Sequence, residues 1–104
     1  YYTDILTQCV INMISHFACK DTKAFFEGGR IRRFIPFEKV AMRKLQQLNA
    51  AADLNFLRIP PGNHLEMLSG DRQGQYSIRI NDQWRICFTW LNGHVADVEI
   101  VDYH

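Results

Sequence analysis

Residues 76–90 constrain the fold more than any other stretch. Tyr76, Ile78 and Ile80 alternate with Ser77 and Arg79, and Trp84, Ile86, Phe88 and Trp90 alternate with Arg85, Cys87 and Thr89. A period of two gives each strand one apolar and one polar face. Matching the apolar faces pairs Ile80 with Trp84 and Ile78 with Ile86 around the turn Asn81-Asp82-Gln83, and sets Arg79 opposite Arg85. A slip of one residue would turn both arginines into the core.

Like charges facing each other across two strands cost stability, so this pair needs an anion. Two sources are open. A last strand over 95–101, with Phe88 against Val98 and Ile86 against Ile100, brings Glu99 opposite Cys87 and diagonal to Arg85. The other source is a phosphate, which the planar guanidinium fork fits. The same register carries Asp102, Tyr103 and His104 alongside Trp84 and Gln83, with Tyr103 on the Arg85 face. An imidazole, a phenol and a carboxylate beside an arginine suffice to cut RNA. One group takes the 2′-hydroxyl proton, another protonates the leaving 5′-oxygen, and arginine stabilises the charge at phosphorus. That chemistry calls for no metal and no cofactor, and the four histidines lack ligand spacing such as His-x-x-x-His.

Upstream of the hairpin the pattern turns helical. Residues 13–19 read as a first strand; Asp21 can cap a short helix through Phe25 and Phe26 that Gly28-Gly29 stops. Pro36 suits a first helical turn, after which Phe37, Ala41, Leu45, Leu48 and Ala52 form an apolar stripe. Lys39, Arg43, Lys44, Gln46 and Gln47 fall elsewhere on that helix. Pro60-Pro61-Gly62-Asn63 breaks the chain; strands follow over 65–69, 76–80, 84–90 and 95–101, with Asn92-Gly93 at the final turn. The expected fold is α/β of the α+β kind, an N-terminal strand and two helices packed on an antiparallel sheet. Residues 1–12 precede Met13 with neither cap nor period, so they are expected to be an extension outside a single domain over 13–104.

With 104 residues, 47% of them hydrophobic and 22% charged, the composition is that of one globular domain rather than a disordered chain. No apolar run is long enough to span a membrane, and no leader pattern opens the chain, so a cytoplasmic location is expected. Cys9, Cys19 and Cys87 are odd in number and widely spaced, which favours thiols over a disulfide framework. A net charge of +1 does not by itself announce nucleic-acid binding, but the cations crowd into 20–44 and 72–85 while 97–102 holds three acids and no cation. Lys39, Arg43 and Lys44, with Arg30, Arg32 and Arg33, can form either a phosphate-gripping surface or a solvated helix face. His64 reads as a solvated loop residue, His16 as a sheet-edge residue and His94 as part of a turn. Trp84 and Trp90 read as core because they share a face with Ile86 and Phe88.

Gly70-Asp71-Arg72 with Gly74, Tyr76-Ser77-Ile78, the run Asn81-Asp82-Gln83-Trp84-Arg85-Ile86-Cys87-Phe88 and the ending Val101-Asp102-Tyr103-His104 together resemble a known family. Over 13–104 the chain is similar to the HigB toxins of bacterial type II toxin-antitoxin systems, the host-inhibition-of-growth or plasmid-maintenance killer group of the RelE superfamily. The resemblance implies a RelE-like microbial-RNase fold and an endoribonuclease that enters the ribosomal A site and cuts mRNA during translation. It also implies a HigA-like helix-turn-helix antitoxin as partner, with operator DNA reached only through that antitoxin. Arg85 matches the family's arginine after tryptophan, and Asp102, Tyr103 and His104 its terminal catalytic group, with His104 the principal proton-transfer residue. Some members place a histidine and a lysine where this chain has Glu66 and Ser69. Glu66 can serve as a base but supplies no cation, a charge that Arg72 or Arg79 would replace. That departure motivates an alternative, a toxin-fold binding module with weak or lost chemistry that acts mainly with its antitoxin in operon repression.

Overall fold

The hairpin forms in the register that side-chain alternation demands. The computed structural model describes residues 14–51, 53–58, 61–91 and 93–102, so the expected extension over 1–12 and the terminal Tyr103 and His104 lie outside the described residues. Strands β1 (Glu66–Met67), β2 (Gln75–Arg79), β3 (Trp84–Leu91) and β4 (His94–Asp102) make an antiparallel sheet in the order β1-β2-β3-β4. Ile78 faces Ile86 and Arg79 faces Arg85, as the burial argument requires. The turn closes with Asn81, whose Oδ1 accepts from the backbone of Gln83 at 2.9 Å and of Trp84 at 2.8 Å.

Between β3 and β4 the expected register holds only in part. Ile86 faces Ile100, Cys87 faces Glu99 and Arg85 faces Val101, but Thr89 faces Ala96, so β4 carries one extra residue between Cys87 and Thr89. Asp97 sits at this bulge with φ of 53°, a left-handed conformation that aspartate tolerates better than most residues. Its carboxylate accepts from Thr89 Oγ1 at 3.4 Å and lies 3.0 Å from His16 Nδ1. The extra residue keeps Val95, Val98 and Ile100 all buried along a strand that an unbroken alternation would have turned out of phase.

The N-terminal segment, expected as a strand, forms two isolated parallel bridges to β4, Ile14 with Val95 and Phe17 with Val98. Ser15 and Ala18 donate to Val95 and Val98, and Val98 donates to the His16 carbonyl, so the segment covers the β4 edge. Helix α1 (Lys20–Phe26) follows. Asp21 does not cap it; Cys19 is the N-cap, without a side-chain bond, and Asp21 instead holds Arg33 at 2.7 Å. Gly28, at φ of 106°, ends the helix as expected. Its Thr22 is fully buried and accepts from the Ile100 amide at 3.1 Å, continuing the closure of the β4 edge.

Pro36 lies inside a 3-10 turn, Arg32–Phe37, rather than in the first turn of the long helix, α2 (Glu38–Ala50). Proline has no N–H to offer the helical ladder, so it is accommodated in this tighter lead-in. Ala41, Leu45 and Leu48 on α2 are fully buried as expected, and Ala52 lies outside the described residues. They meet Ile78, Ile86 and Phe88 from the sheet, while Phe34 and Phe37 pack on Trp84 with ring centroids 6.0 and 5.1 Å away. Short α3 (Leu54–Arg58) and a 3-10 turn, Pro61–Asn63, lead into β1.

Removing the Thr22 hydroxyl would leave the buried Ile100 amide unpaired, so Thr22→Val should lose about 1–3 kcal/mol of stability. Thr22→Ser should retain most of it. Urea unfolding midpoints of the three proteins measure the difference.

Candidate active site

Register partners share a face, so Glu66, Ser77, Cys87 and Glu99 form one row across all four strands, with Arg79 and Arg85 in the next. This is the sheet face turned away from Ile78 and Ile86. Arg85 is 8% exposed, and a guanidinium so enclosed must have its donors met. Its Nε donates to Ser77 Oγ at 2.8 Å, and its Nη2 donates to the His64 carbonyl at 2.6 Å and lies 3.6 Å from Glu66 Oε1.

That carbonyl is delivered by local geometry. His64 adopts a positive φ of 44° directly after the Pro61–Asn63 turn. Asn63, fully buried, pins the turn by donating to the Leu57 carbonyl at 3.0 Å and to Gln47 Oε1 at 3.2 Å while its Oδ1 accepts from Lys44 Nζ. The His64 side chain itself is exposed, as expected.

Lys44 departs from expectation. It belongs to the buried stripe of α2 with Ala41, Leu45 and Leu48 rather than to a surface shared with Lys39 and Arg43. Burial lowers its pKa below the usual lysine value, and the charges of Arg43, Arg79 and Arg85 lower it further. Lys39 and Arg43 line a separate groove of about 450 Å³ against α1 with Arg30, Glu38 and Met42.

Glu99 is not the partner of Arg85. It pairs with Arg72 at 3.3 Å, which also donates to Gln75 Oε1 at 3.0 Å, and Glu66 takes the place beside Arg85. Arg79 pairs with Asp82 in the hairpin turn. Cys87 lies beneath this cluster with its thiol pKa raised, chiefly by burial, which keeps it protonated and unsuited to act as a nucleophile. Among the described residues no three histidine, cysteine, aspartate or glutamate groups are placed to hold a metal ion.

The structure thus brings Glu66, Arg72, Arg79 and Arg85 to one face and sets Lys39 and Arg43 apart. Asp102 lies opposite Trp84, one residue beyond the Arg85–Val101 pair, which puts it on the other face of β4, where it accepts from Gln83 Nε2 at 3.0 Å. Tyr103 and His104 lie outside the described residues. Ser77, Asn63 and the His64 carbonyl were not anticipated. Ser77 was within reach of the register argument, since it shares the polar face of β2 with Arg79; the backbone carbonyl had no signal in side-chain identity.

Three helices and a 3-10 lead-in pack with an antiparallel four-stranded sheet in a mixed α+β fold, with a buried arginine on the sheet face turned away from the core. Two solved structures share it: the YoeB–YefM complex from Staphylococcus aureus, with TM-score 0.58 and 24% identity over 89% of this chain and 97% of that one, and the YoeB dimer from the same organism, with TM-score 0.52 and 22% identity over 90% and 98%. A model of the HigB-like toxin family, the RelE-like toxins of type II toxin-antitoxin system HigB, matches residues 15–104. Similar proteins include Toxin HigB-1 of Vibrio cholerae, 42% identical over 83 residues covering 78% of this chain and 87% of that protein. Endoribonuclease HigB of Proteus vulgaris is 33% identical over 94 residues, 88% of this chain and all of that protein. The chain belongs to the HigB-like toxin family.

The lowered pKa of Lys44 has a definite sign. Because the unfolded chain holds that proton more tightly, stability rises with pH as the folded lysine deprotonates first, until the unfolded lysine follows near its ordinary value of 10.5. The wild type should therefore gain stability relative to Lys44→Met as pH is raised from about 7 towards about 10. Paired denaturant titrations across that range measure it.

Proposed function

We propose that the protein is an endoribonuclease toxin of the cytoplasm that cuts mRNA in the ribosomal A site, and that a HigA-like helix-turn-helix antitoxin silences it and carries it to operator DNA. The observation that carries this reading is Arg85, held by Ser77 and the His64 carbonyl on a sheet face it shares with Arg79 and Glu66. Family membership and a relative named Endoribonuclease HigB support the reaction, and a structural neighbour solved with YefM supports a protein partner.

In this mechanism the 2′-oxygen attacks phosphorus and the 5′-oxygen leaves. Glu66, exposed beside Arg85, accepts the 2′-hydroxyl proton, and His104 delivers a proton to the 5′-oxygen with Tyr103 and Asp102 assisting. Arg85 stabilises the charge that builds on the phosphoryl oxygens, and Arg79 and Arg72 offset the neighbouring phosphates. Charge neutralisation and proton transfer both come from side chains, so the step needs no metal. Lys39 and Arg43, in their separate groove, would grip ribosomal RNA phosphates away from the reacting bond.

Expression without an antitoxin should stop growth and leave transcripts cut within codons, as primer extension reads directly. Arg85→Lys keeps a positive charge but cannot reproduce the fork that reaches Ser77 and His64, so cutting should fall about 100-fold or more. If Arg85→Lys and His104→Ala both arrest growth undiminished, the assignment of these roles is wrong. If wild-type protein at confirmed expression permits normal growth, the binding-module reading replaces the ribonuclease, a reading to which the carboxylate of Glu66 beside Arg85 would lend weight.

A further inference from the structure

Lys44 leaves solvent without a carboxylate to receive it. The residue is 7% exposed, in line with Ala41, Leu45 and Leu48 on the inner face of α2, and its hydrogen-bond partner is a neutral amide, that of Asn63. A methionine in that place would bury the same stem without desolvating a charge. Core packing therefore does not account for the ammonium, and what it touches must.

The side-chain amide of asparagine can sit either way round, but an ammonium only donates, so Lys44 Nζ fixes Oδ1 as the end that faces it. That choice turns Asn63 Nδ2 to the Leu57 carbonyl at 3.0 Å and to Gln47 Oε1 at 3.2 Å. Gln47 follows Lys44 by three residues on α2, so the helix grips Asn63 at two points. The next residue, His64, has φ of 44°, a conformation that persists in a side-chain-bearing residue only where the surroundings impose it. In that conformation its carbonyl accepts from Arg85 Nη2 at 2.6 Å.

We propose that Lys44 and Asn63 are positioning residues for Arg85: the ammonium orients the amide, the amide holds the turn, and the turn aims the guanidinium, while neither side chain touches RNA. The assignment rests on the ribonuclease reading and moves Lys44 from the phosphate-gripping surface expected from sequence to the support behind the reacting phosphate. After burial and Arg43, the charges of Arg79 and Arg85 are what lower the Lys44 pKa, which sets the three cations in one neighbourhood.

Two substitutions separate the parts. Lys44→Met keeps the stem and removes the donor, and Asn63→Asp keeps the acceptor and removes both amide donors. In single-turnover cutting of mRNA on ribosomes, each should lower the rate at saturating protein about tenfold or more, the scale of a misplaced reacting group. The half-saturating concentration should stay within about twofold, since no RNA contact is lost. In an Arg85→Lys background neither change should slow cutting further, because the group they position is already gone. Losses that add to Arg85→Lys overturn the proposal. So does a raised half-saturating concentration at an unchanged rate, which would put Lys44 on the RNA. NMR of the Arg85 guanidinium gives a readout without cutting: slow rotation in the wild type, held by the His64 carbonyl, should become fast in both variants while urea midpoints show them folded. Slow rotation retained in a folded variant overturns the proposal. If Asn63→Asp does not fold, Lys44→Met, which leaves both amide donors in place, decides. A wild type that cuts no RNA removes the ribonuclease, and faster guanidinium rotation in the variants then still upholds the positioning.

Discussion

A guanidinium taken out of water costs several kcal/mol unless its donors are met, and the outer face of the sheet is organised around meeting those of Arg85. Ser77 supplies a hydroxyl from the neighbouring strand, and His64 supplies a carbonyl from a turn three residues before Met67. Both partners are neutral oxygens. They fix the plane of the fork by hydrogen bonding. The carboxylate of Glu66, at 3.6 Å and on a more exposed side chain, is the looser partner and the one a phosphate can outcompete.

The same constraint explains the polar content of the core. His64 can present its carbonyl only while the Pro61–Asn63 turn is held, and that turn is held by a fully buried asparagine bonded to Lys44, Gln47 and the Leu57 carbonyl. Lys44 thus occupies an apolar stripe at a cost in charge burial, while it anchors the loop that positions Arg85. Buried polar groups of this kind are tolerated when each finds its partner, and no buried side-chain nitrogen or oxygen among the described residues lacks one.

Particular residues show where sequence reasoning reached and where it stopped. The β2–β3 register followed from alternation because a one-residue slip would reverse every side chain, so Arg79 opposite Arg85 was legible before any coordinates. The bulge at Asp97 was not, since it depends on packing both ends of β4 against one core, a requirement that pairwise matching of Phe88 with Val98 does not contain. Lys44 was misplaced for a related reason. Its charge suggested solvent, whereas its position three after Ala41 and four before Leu48 set it on the inner face. Asp102 lies alongside Trp84 and Gln83 as the register implied, which by the same alternation puts its carboxylate on the face away from Arg85.

A net charge of +1 and a face that gathers three arginines are compatible because the acids are spent locally. Asp21 holds Arg33, Glu99 holds Arg72 and Asp82 holds Arg79, each pairing a cation with an anion fixed by the fold. Exposed pairs of this sort contribute little stability. Their larger effect is geometric, since each holds a long flexible side chain in one place. Arg72 and Arg79 are thereby presented on the face where Arg85 is buried rather than dispersed in solvent, so under the proposed function RNA would meet cations whose positions are already set. Pre-set charge of this kind avoids reorganisation during the reaction, which is the property that lets oriented dipoles and cations lower a barrier. A strongly basic surface would bind RNA more tightly at any sequence; a nearly neutral chain with a few fixed arginines depends more on the fit of the strand it holds.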